Sequence, residues 1–308
     1  MYQKRTIKDI AAKHIMLTLT LLVSLLIVVI AWGLFMRSRP ILSENSLRQL
    51  LFSVKWHPTQ GEFGFAPFIL GTVYVTLVSI ILAVPLALFS AIFLAEYAPK
   101  RLRSGFKPIL DLLAGISPVI FGAFGVLVVV PFVKDFLLPI VNYASRFIPI
   151  LGTSNFTGFG IFSAGIILAM MIFPIMTQVA EEVIHSIPKE ARDSSLALGA
   201  TRWETIKYVV LKKARPGIIA AVILGLARAF GETIAVLMVV GNVVQIPKSI
   251  FDAAYTLPAL IANNYGEMMS IPRYDSALLL AALILLIVTV FFNVLAWLIL
   301  SKVEKAYV

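Results

Sequence analysis

Within the apolar stretch Gly217 to Val244 stand two ionisable side chains, Arg228 and Glu232, in the segment Gly225–Thr233 (GLARAFGET). Counted from Gly217 along a helix, Arg228 falls roughly 17 Å into a hydrocarbon core of about 30 Å. Insertion scales place a central Arg or Asp at about 2.5–3.5 kcal/mol each, so both groups must face protein or water rather than lipid. A spacing of four predicts one shared helix face. Two chemistries fit that face. One is an intrahelical ion pair that fixes packing. The other is an anion site on a transport route, because a planar guanidinium offers an oxyanion two parallel donors. In that site Glu232 holds Arg228 in place or accepts a hydrogen bond from a protonated oxyanion, and Thr233 adds a neutral donor.

The elements that would position these groups follow from hydropathy. The chain has 308 residues, 60% of them hydrophobic and only 14% charged, with a mean hydropathy of +0.95. That exceeds the apolar share of soluble domains and assigns the chain to a bilayer. Six stretches are long enough to span, at His14–Met36, Phe68–Ala95, Ile109–Val133, Phe159–Ala180, Gly217–Val244 and Ser276–Leu300. The fold class expected is all-α, a polytopic membrane protein with six transmembrane helices. Residues 1–13 form a cytoplasmic N-terminal segment and 14–308 a transmembrane domain, interrupted by a cytoplasmic loop at 181–216. The run after Lys4, Arg5, Lys8 and Lys13 lacks a small-residue cleavage site and reads as a retained first span. Prolines at Pro85, Pro118, Pro131 and Pro174 predict kinks, and Gly115, Gly122 and Gly125 predict close approach of another helix to the third span. The interrupted stretch Phe136 to Ile150 is expected to lie as a short helix near the outer surface.

The formal charge of +10 is distributed by loop, with 17 of the 26 Lys and Arg residues in the N-terminus, the second and fourth loops and the C-terminus. Both termini are therefore expected in the cytoplasm. Basic residues set between apolar runs serve orientation, so nucleic acid is not a partner. With no cysteine and three dispersed histidines, neither disulfides nor a metal cluster are expected.

The loop itself is patterned. Pro188 suits a first helical turn, Glu190 and Asp193 lie toward the positive end of the helix dipole, and Gly199 suits a left-handed stop. Small Ala191, Ser194, Ser195 and Ala197 keep this first helix thin, and a second short helix is expected to follow from Thr201. A thin amphipathic helix fits either the membrane surface or a groove on another protein.

This loop resembles the EAA loop of ABC-importer permeases, whose pattern is Glu-Ala-Ala, three residues, then Gly. Asp193, Ser194 and Ser195 stand in that register, Gly199 and Ala200 follow, and Lys212 replaces the usual proline. A more specific similarity, to the phosphate branch and its PstC type, is carried by Phe63–Thr72 (FGFAPFILGT), Phe93–Leu102 (FLAEYAPKRL), Gly115–Gly122 (GISPVIFG), Arg228–Val236 (RAFGETIAV) and Ala254–Glu267 (AYTLPALIANNYGE). The resemblance implies a MetI-like, type I importer permease in a bacterial or archaeal cell membrane. It implies a phosphate path at Arg228 and Glu232, and contact with an ATPase through Glu190, Ala191, Asp193, Ser194, Ser195, Gly199 and Ala200. The partners it implies are a sister permease (PstA type), two ATPase copies (PstB type), an extracytoplasmic phosphate-binding protein (PstS type) and membrane lipid. No Gly-x-x-x-x-Gly-Lys-Ser/Thr loop occurs, so this chain is expected to be no enzyme and to bind no cofactor, with ATP used by the separate ATPase. Sulfate or molybdate as the solute, an ATP-independent secondary transporter and a membrane enzyme using Glu232 as a base are the alternatives. Broken midplane helices and inverted repeats would mark the secondary transporter.

The charge count makes a direct prediction. A fluorescent protein that matures only in the cytoplasm, fused to the C-terminal end, is expected to fluoresce, and a reporter active only outside the cytoplasm is expected to work after Lys248. The reverse pattern would invert the topology.

Overall fold

A computed structural model describes residues 2–145, 152–153, 155–266 and 273–305. Among the described residues, five helices are long and apolar enough to cross a membrane: Ala12–Glu44, Ala66–Tyr97, Pro118–Tyr143, Ile161–Ser186 and Tyr274–Leu295. The first and last belong to longer helices, α1 (Tyr2–Glu44) and α11 (Tyr274–Lys305). Between them run α2 (Leu47–Phe52), α3 (Ala66–Tyr97), α4 (Lys100–Gly115), α5 (Pro118–Tyr143), α6 (Ile161–Ser186), α7 (Lys189–Ala197), α8 (202–230), α9 (Ile234–Val239) and α10 (Leu257–Asn264). A two-residue ribbon, β1 (Trp56–His57) with β2 (Glu62–Phe63), pairs Trp56 with Phe63.

Two expected spans are corrected. The third does not run from Ile109 to Val133. Helix α4 ends at Gly115, Ile116 and Ser117 are extended with ψ 134° and 140°, and Pro118 opens α5. Proline disfavours a helical conformation in the residue before it and is well placed at a first helical position. Pro118 therefore starts a helix rather than kinking one. Helix α5 then continues past Val133, so the start of the stretch predicted as a separate surface helix, Phe136 to Tyr143, belongs to the span. Residues 146–150 of that stretch lie outside the described residues. Wide turns at Gly125–Val129 and Val133–Leu137 precede Pro131 and Pro139 closely, and they let the helix pass prolines that lack an N–H.

The fifth span, expected as one helix over Gly217–Val244, is broken. Leu211–Phe230 is helical, 231–233 are not, and α9 is a separate helix of six residues. The second short helix of the loop is likewise absent as a separate element. It begins at Arg202, passes through a wide turn at Thr205–Val210 and merges with Leu211–Phe230 into α8.

The core is built on the α3–α6 contact, with α8 laid across both and α9 packed on α5 and α6. Among lipid tails, helix association has little hydrophobic drive and rests on close packing, which small residues allow. Gly165 of α6 lies against Val78, Gly225 of α8 against Met176, and Gly122 of α5 against Ala235 and Met238 of α9. Gly125 meets Val239 and Ile167, whereas Gly115 has open space around it, so two of the three glycines predicted to admit a helix do so. A second cluster joins α1, α2, α3, α10 and α11 around Trp56, Phe68, Tyr255 and Tyr274. The most apolar part of the Ala12–Glu44 span is unburied, as a helix facing lipid requires.

These contacts differ in how much they can yield. A Cβ on Gly71 would meet the Tyr255 carbonyl, which is backbone, whereas one on Gly225 would meet only the flexible Met176 thioether. Gly71→Ala is expected to cost about 1–3 kcal/mol, the usual penalty of overpacking, and Gly225→Ala less. Thermal unfolding in detergent reads the difference, and a larger loss for Gly225→Ala would contradict this packing.

Candidate functional site

Helix α8 ends where Ala229 and Phe230 are buried and Phe230 stacks on Phe292 of α11, with ring centroids 4.5 Å apart. Arg228 sits in this last turn, where a cation complements the negative end of the helix dipole. Its side chain is exposed and has no ion pair or hydrogen bond among the described residues.

Glu232 does not share a helix face with Arg228, because the helix stops between them. Its Oε1 instead accepts hydrogen bonds from the backbone N–H of Thr233 at 3.1 Å and of Ala235 at 3.2 Å. The carboxylate thus caps α9, satisfying donors that a helix start leaves without intrahelical partners. Thr233 turns its hydroxyl back to the Gly231 carbonyl at 3.4 Å. The ion pair, one of the two chemistries a shared face allowed, is therefore not formed. The segment holds an unpaired guanidinium on one side of a break and a half-buried carboxylate on the other.

Beyond α9 the chain reverses at Gly241 and Asn242, both left-handed with φ 92° and 51°. Asn242 Nδ2 donates to the Leu237 carbonyl at 2.8 Å, and Ala254 N–H donates to the Val240 carbonyl at 3.0 Å. The returning segment is pinned by Asp252, whose carboxylate accepts from Lys248 N–H, Ser249 N–H and the Thr153 hydroxyl at 2.9, 2.9 and 2.6 Å.

At the opposite end, the loop helix α7 is anchored from one side. Arg192 Nη2 lies 2.6 Å from Glu96 Oε1 at the end of α3 and 2.9 Å from the Ile184 carbonyl at the end of α6. Arg202 reaches the Glu96 carbonyl, its guanidinium 4.7 Å from the centre of the Tyr97 ring. Gly199 has φ +88°, the left-handed stop its sequence position predicted. Ser194 donates to the Glu190 carbonyl at 2.7 Å, and Ser195 meets Thr205 at 3.0 Å, joining α7 to the start of α8. Glu190, Asp193 and Gly199 are exposed, while Ala191 and Ala200 are half-buried. Thr201 and Glu204 form a reciprocal capping box, and the Thr201 hydrogen bonds hold the Glu204 carboxyl below its ordinary range. The loop also presents Leu196, Leu198 and Trp203 to solvent, Leu198 at 90% exposure.

Sequence reasoning missed Glu96 and Arg192 as partners. A lone acid closing an uncharged span, followed by four basic residues in 100–107, was the available signal.

Residues 83–305 match the family of binding-protein-dependent transport system inner membrane components. The phosphate transport system permease protein PstC of Xylella fastidiosa is 37% identical over 257 residues, covering 82% of this chain and 79% of that protein. A probable phosphate transport system permease protein PstC of Methanocaldococcus jannaschii is 33% identical over 287 residues, covering 92% and 90%. Among solved structures, a bacterial alginate ABC transporter in complex with an alginate pentasaccharide-bound periplasmic protein matches with a TM-score of 0.59 at 18% identity, covering 94% of each chain. The MetNI methionine ABC transporter in inward-facing conformations matches with a TM-score of 0.53 at 19% identity, covering 76% of this chain and 93% of that one. At such identities the structures establish the fold. The break at 231–233 is one of the two marks expected of a secondary transporter, but the family matched over residues 83–305 is one of binding-protein-dependent transport systems. The fold, the matched segment and the relatives agree, and the chain belongs to the binding-protein-dependent transport system inner membrane component family.

Proposed function

We propose that this chain is the permease subunit of an ATP-driven importer of inorganic phosphate, with Arg228, Glu232 and Thr233 on the solute path. The observation that carries the reading is the exposed, unpaired Arg228 at the end of α8. Lipid cannot solvate that charge, so a second protein surface or an aqueous path must. One guanidinium does not enclose a multiply charged oxyanion, which supports a sister permease (PstA type) completing the site across an interface. Relatives named for phosphate transport over most of the chain support the choice of solute.

The anchored loop with its outward Leu196, Leu198 and Trp203 supports docking of a separate ATPase (PstB type), since apolar groups presented together at a surface mark interaction sites. ATP is then bound and hydrolysed in that partner, and this chain is no enzyme. An extracytoplasmic phosphate-binding protein (PstS type) delivers the solute on the opposite side, with both termini of this chain in the cytoplasm.

Uptake of labelled phosphate by vesicles containing this chain and its partner chains tests the reading. Uptake is expected to require ATP and to resist excess sulfate and molybdate. Suppression by either competitor overturns the solute, and uptake without the ATPase overturns the class. Arg228→Ala is expected to lower uptake about 10- to 100-fold, corresponding to about 1.5–3 kcal/mol for hydrogen bonds to a charged group. Glu232→Gln keeps an acceptor oxygen for the α9 cap, so thermal stability is expected to hold while uptake falls. Full transport with unaltered ion preference in Arg228→Lys and Glu232→Gln would remove both residues from the path.

A further inference from the structure

Helix α4 is fastened to α6 by a polar seam. Arg103, Lys107 and Asp111 recur every fourth residue and so share one face of α4. Facing them on α6 are His185, Glu181 and Gln178. Gln178 Nε2 donates to Asp111 Oδ1 at 2.6 Å, and Lys107 Nζ lies 3.6 Å from Glu181 Oε2. The Arg103 guanidinium pairs with Glu181 Oε1, and its Nη1 lies 2.9 Å from the ring nitrogens of His185. Glu181 Oε1 makes no directed hydrogen bond, so its attraction to Arg103 is electrostatic.

Glu181 is 3% exposed, against 20% for Arg103 and 52% for Lys107. A carboxylate buried to that degree is tolerated only where cations answer it. Leu110 is the one buried side chain of α4, while Leu102, Phe106, Ile109 and Leu112 are all exposed. Within this chain the seam, together with Leu110, fastens α4 to α6.

Its location gives the seam a role. The two halves of the broken helix are reached from the loop by different routes. Helix α8, carrying Arg228, continues from α7 through 198–201. Helix α9, headed by Glu232, packs on α6 and, at Gly122, on α5, and α5 is joined to α4 through Ile116 and Ser117. Arg192 ties α7 to the end of α6, and Glu181 ties the end of α6 to α4. We propose that Glu181 is a positioning residue: it clamps α4 to α6 so that motion of the loop reaches α9 as well as α8, and the two sides of the break move together. The proposal rests on the reading of the chain as an ATP-driven permease.

The chain has no native cysteine, so single reporter cysteines can be placed in the full-length protein within the assembled transporter. Ile234→Cys reports on α9 and Leu224→Cys on α8, both at exposed positions. In the Glu181→Gln background ATP hydrolysis is expected to stay within about twofold, while the nucleotide-dependent change in labelling at 234 falls about tenfold and that at 224 persists. An unchanged response at 234, or loss of both responses together with hydrolysis, overturns the proposal. A second variant, Arg103→Cys with Glu181→Cys, is expected to recover uptake per ATP once the two thiols are bridged by a short bifunctional reagent. Failure to recover overturns the clamp even if Glu181→Gln proves unstable. Labelling at 234 needs nucleotide but no phosphate, so an error in the assigned solute leaves this readout standing. A nucleotide response absent from the otherwise unmodified chain would instead count against the ATP-driven reading itself.

Discussion

A helix interrupted within an apolar stretch leaves backbone N–H groups that apolar surroundings cannot satisfy, and each must find a partner within the protein. In this chain Glu232 meets that requirement. By accepting from Thr233 and Ala235 it starts α9 three residues after Gly231 and commits its carboxylate to the backbone instead of to Arg228. The charge of Arg228 is thereby left for another group. Had the helix continued, the two side chains would have lain on one face within reach of each other.

The break persists because the chain beyond it is held from several sides. Helix α9 has only six residues, too few to be stable alone. It presses Ala235 and Met238 against Gly122 and Val239 against Gly125, approaches that a larger residue on α5 would block. The left-handed pair Gly241 and Asn242 then turns the chain back, and the Gly160 N–H donates to the Val239 carbonyl at 3.0 Å. Phe230 on Phe292 fixes the other side of the gap. Packing of small residues, the principal cohesive device between helices in lipid, thus sustains a local geometry that helix propensity alone would not choose.

Much of this was legible in the sequence. Long apolar runs located the spans because a bilayer imposes a length, and Gly199 marked the end of α7 because glycine carries no steric penalty at positive φ. What hydropathy could not register was the interruption at 231–233, since apolar residues continue through Val244 and a membrane-embedded break has no hydropathic signature. The acid at Glu232 did carry a second meaning, that of a negative group at a helix start, which a reading centred on charge pairing passed over. Ser117 before Pro118 was a local signal of the same kind, marking a helix start that hydropathy had smoothed across, whereas the start at Thr201, where the capping box with Glu204 stands, was expected. The partners of Glu96 and Glu181 were not readable, because each pair joins residues distant in the chain.

Those two carboxylates reveal a common design at the loop end of the bundle. Each is nearly buried at the end of a spanning helix, each is answered by an arginine from a neighbouring element, and each lies next to the segment that links the spans to the loop. Arginine suits such a position better than lysine, since its fork can serve a carboxylate and a backbone carbonyl at once, as Arg192 does with Glu96 and Ile184. Apolar contacts between helices in lipid are easily exchanged for contacts with lipid tails, whereas a buried ion pair cannot part without exposing an uncompensated charge. Joints that must transmit force between helices are therefore better made from such pairs than from leucines, and the structure places them where the loop meets the bundle.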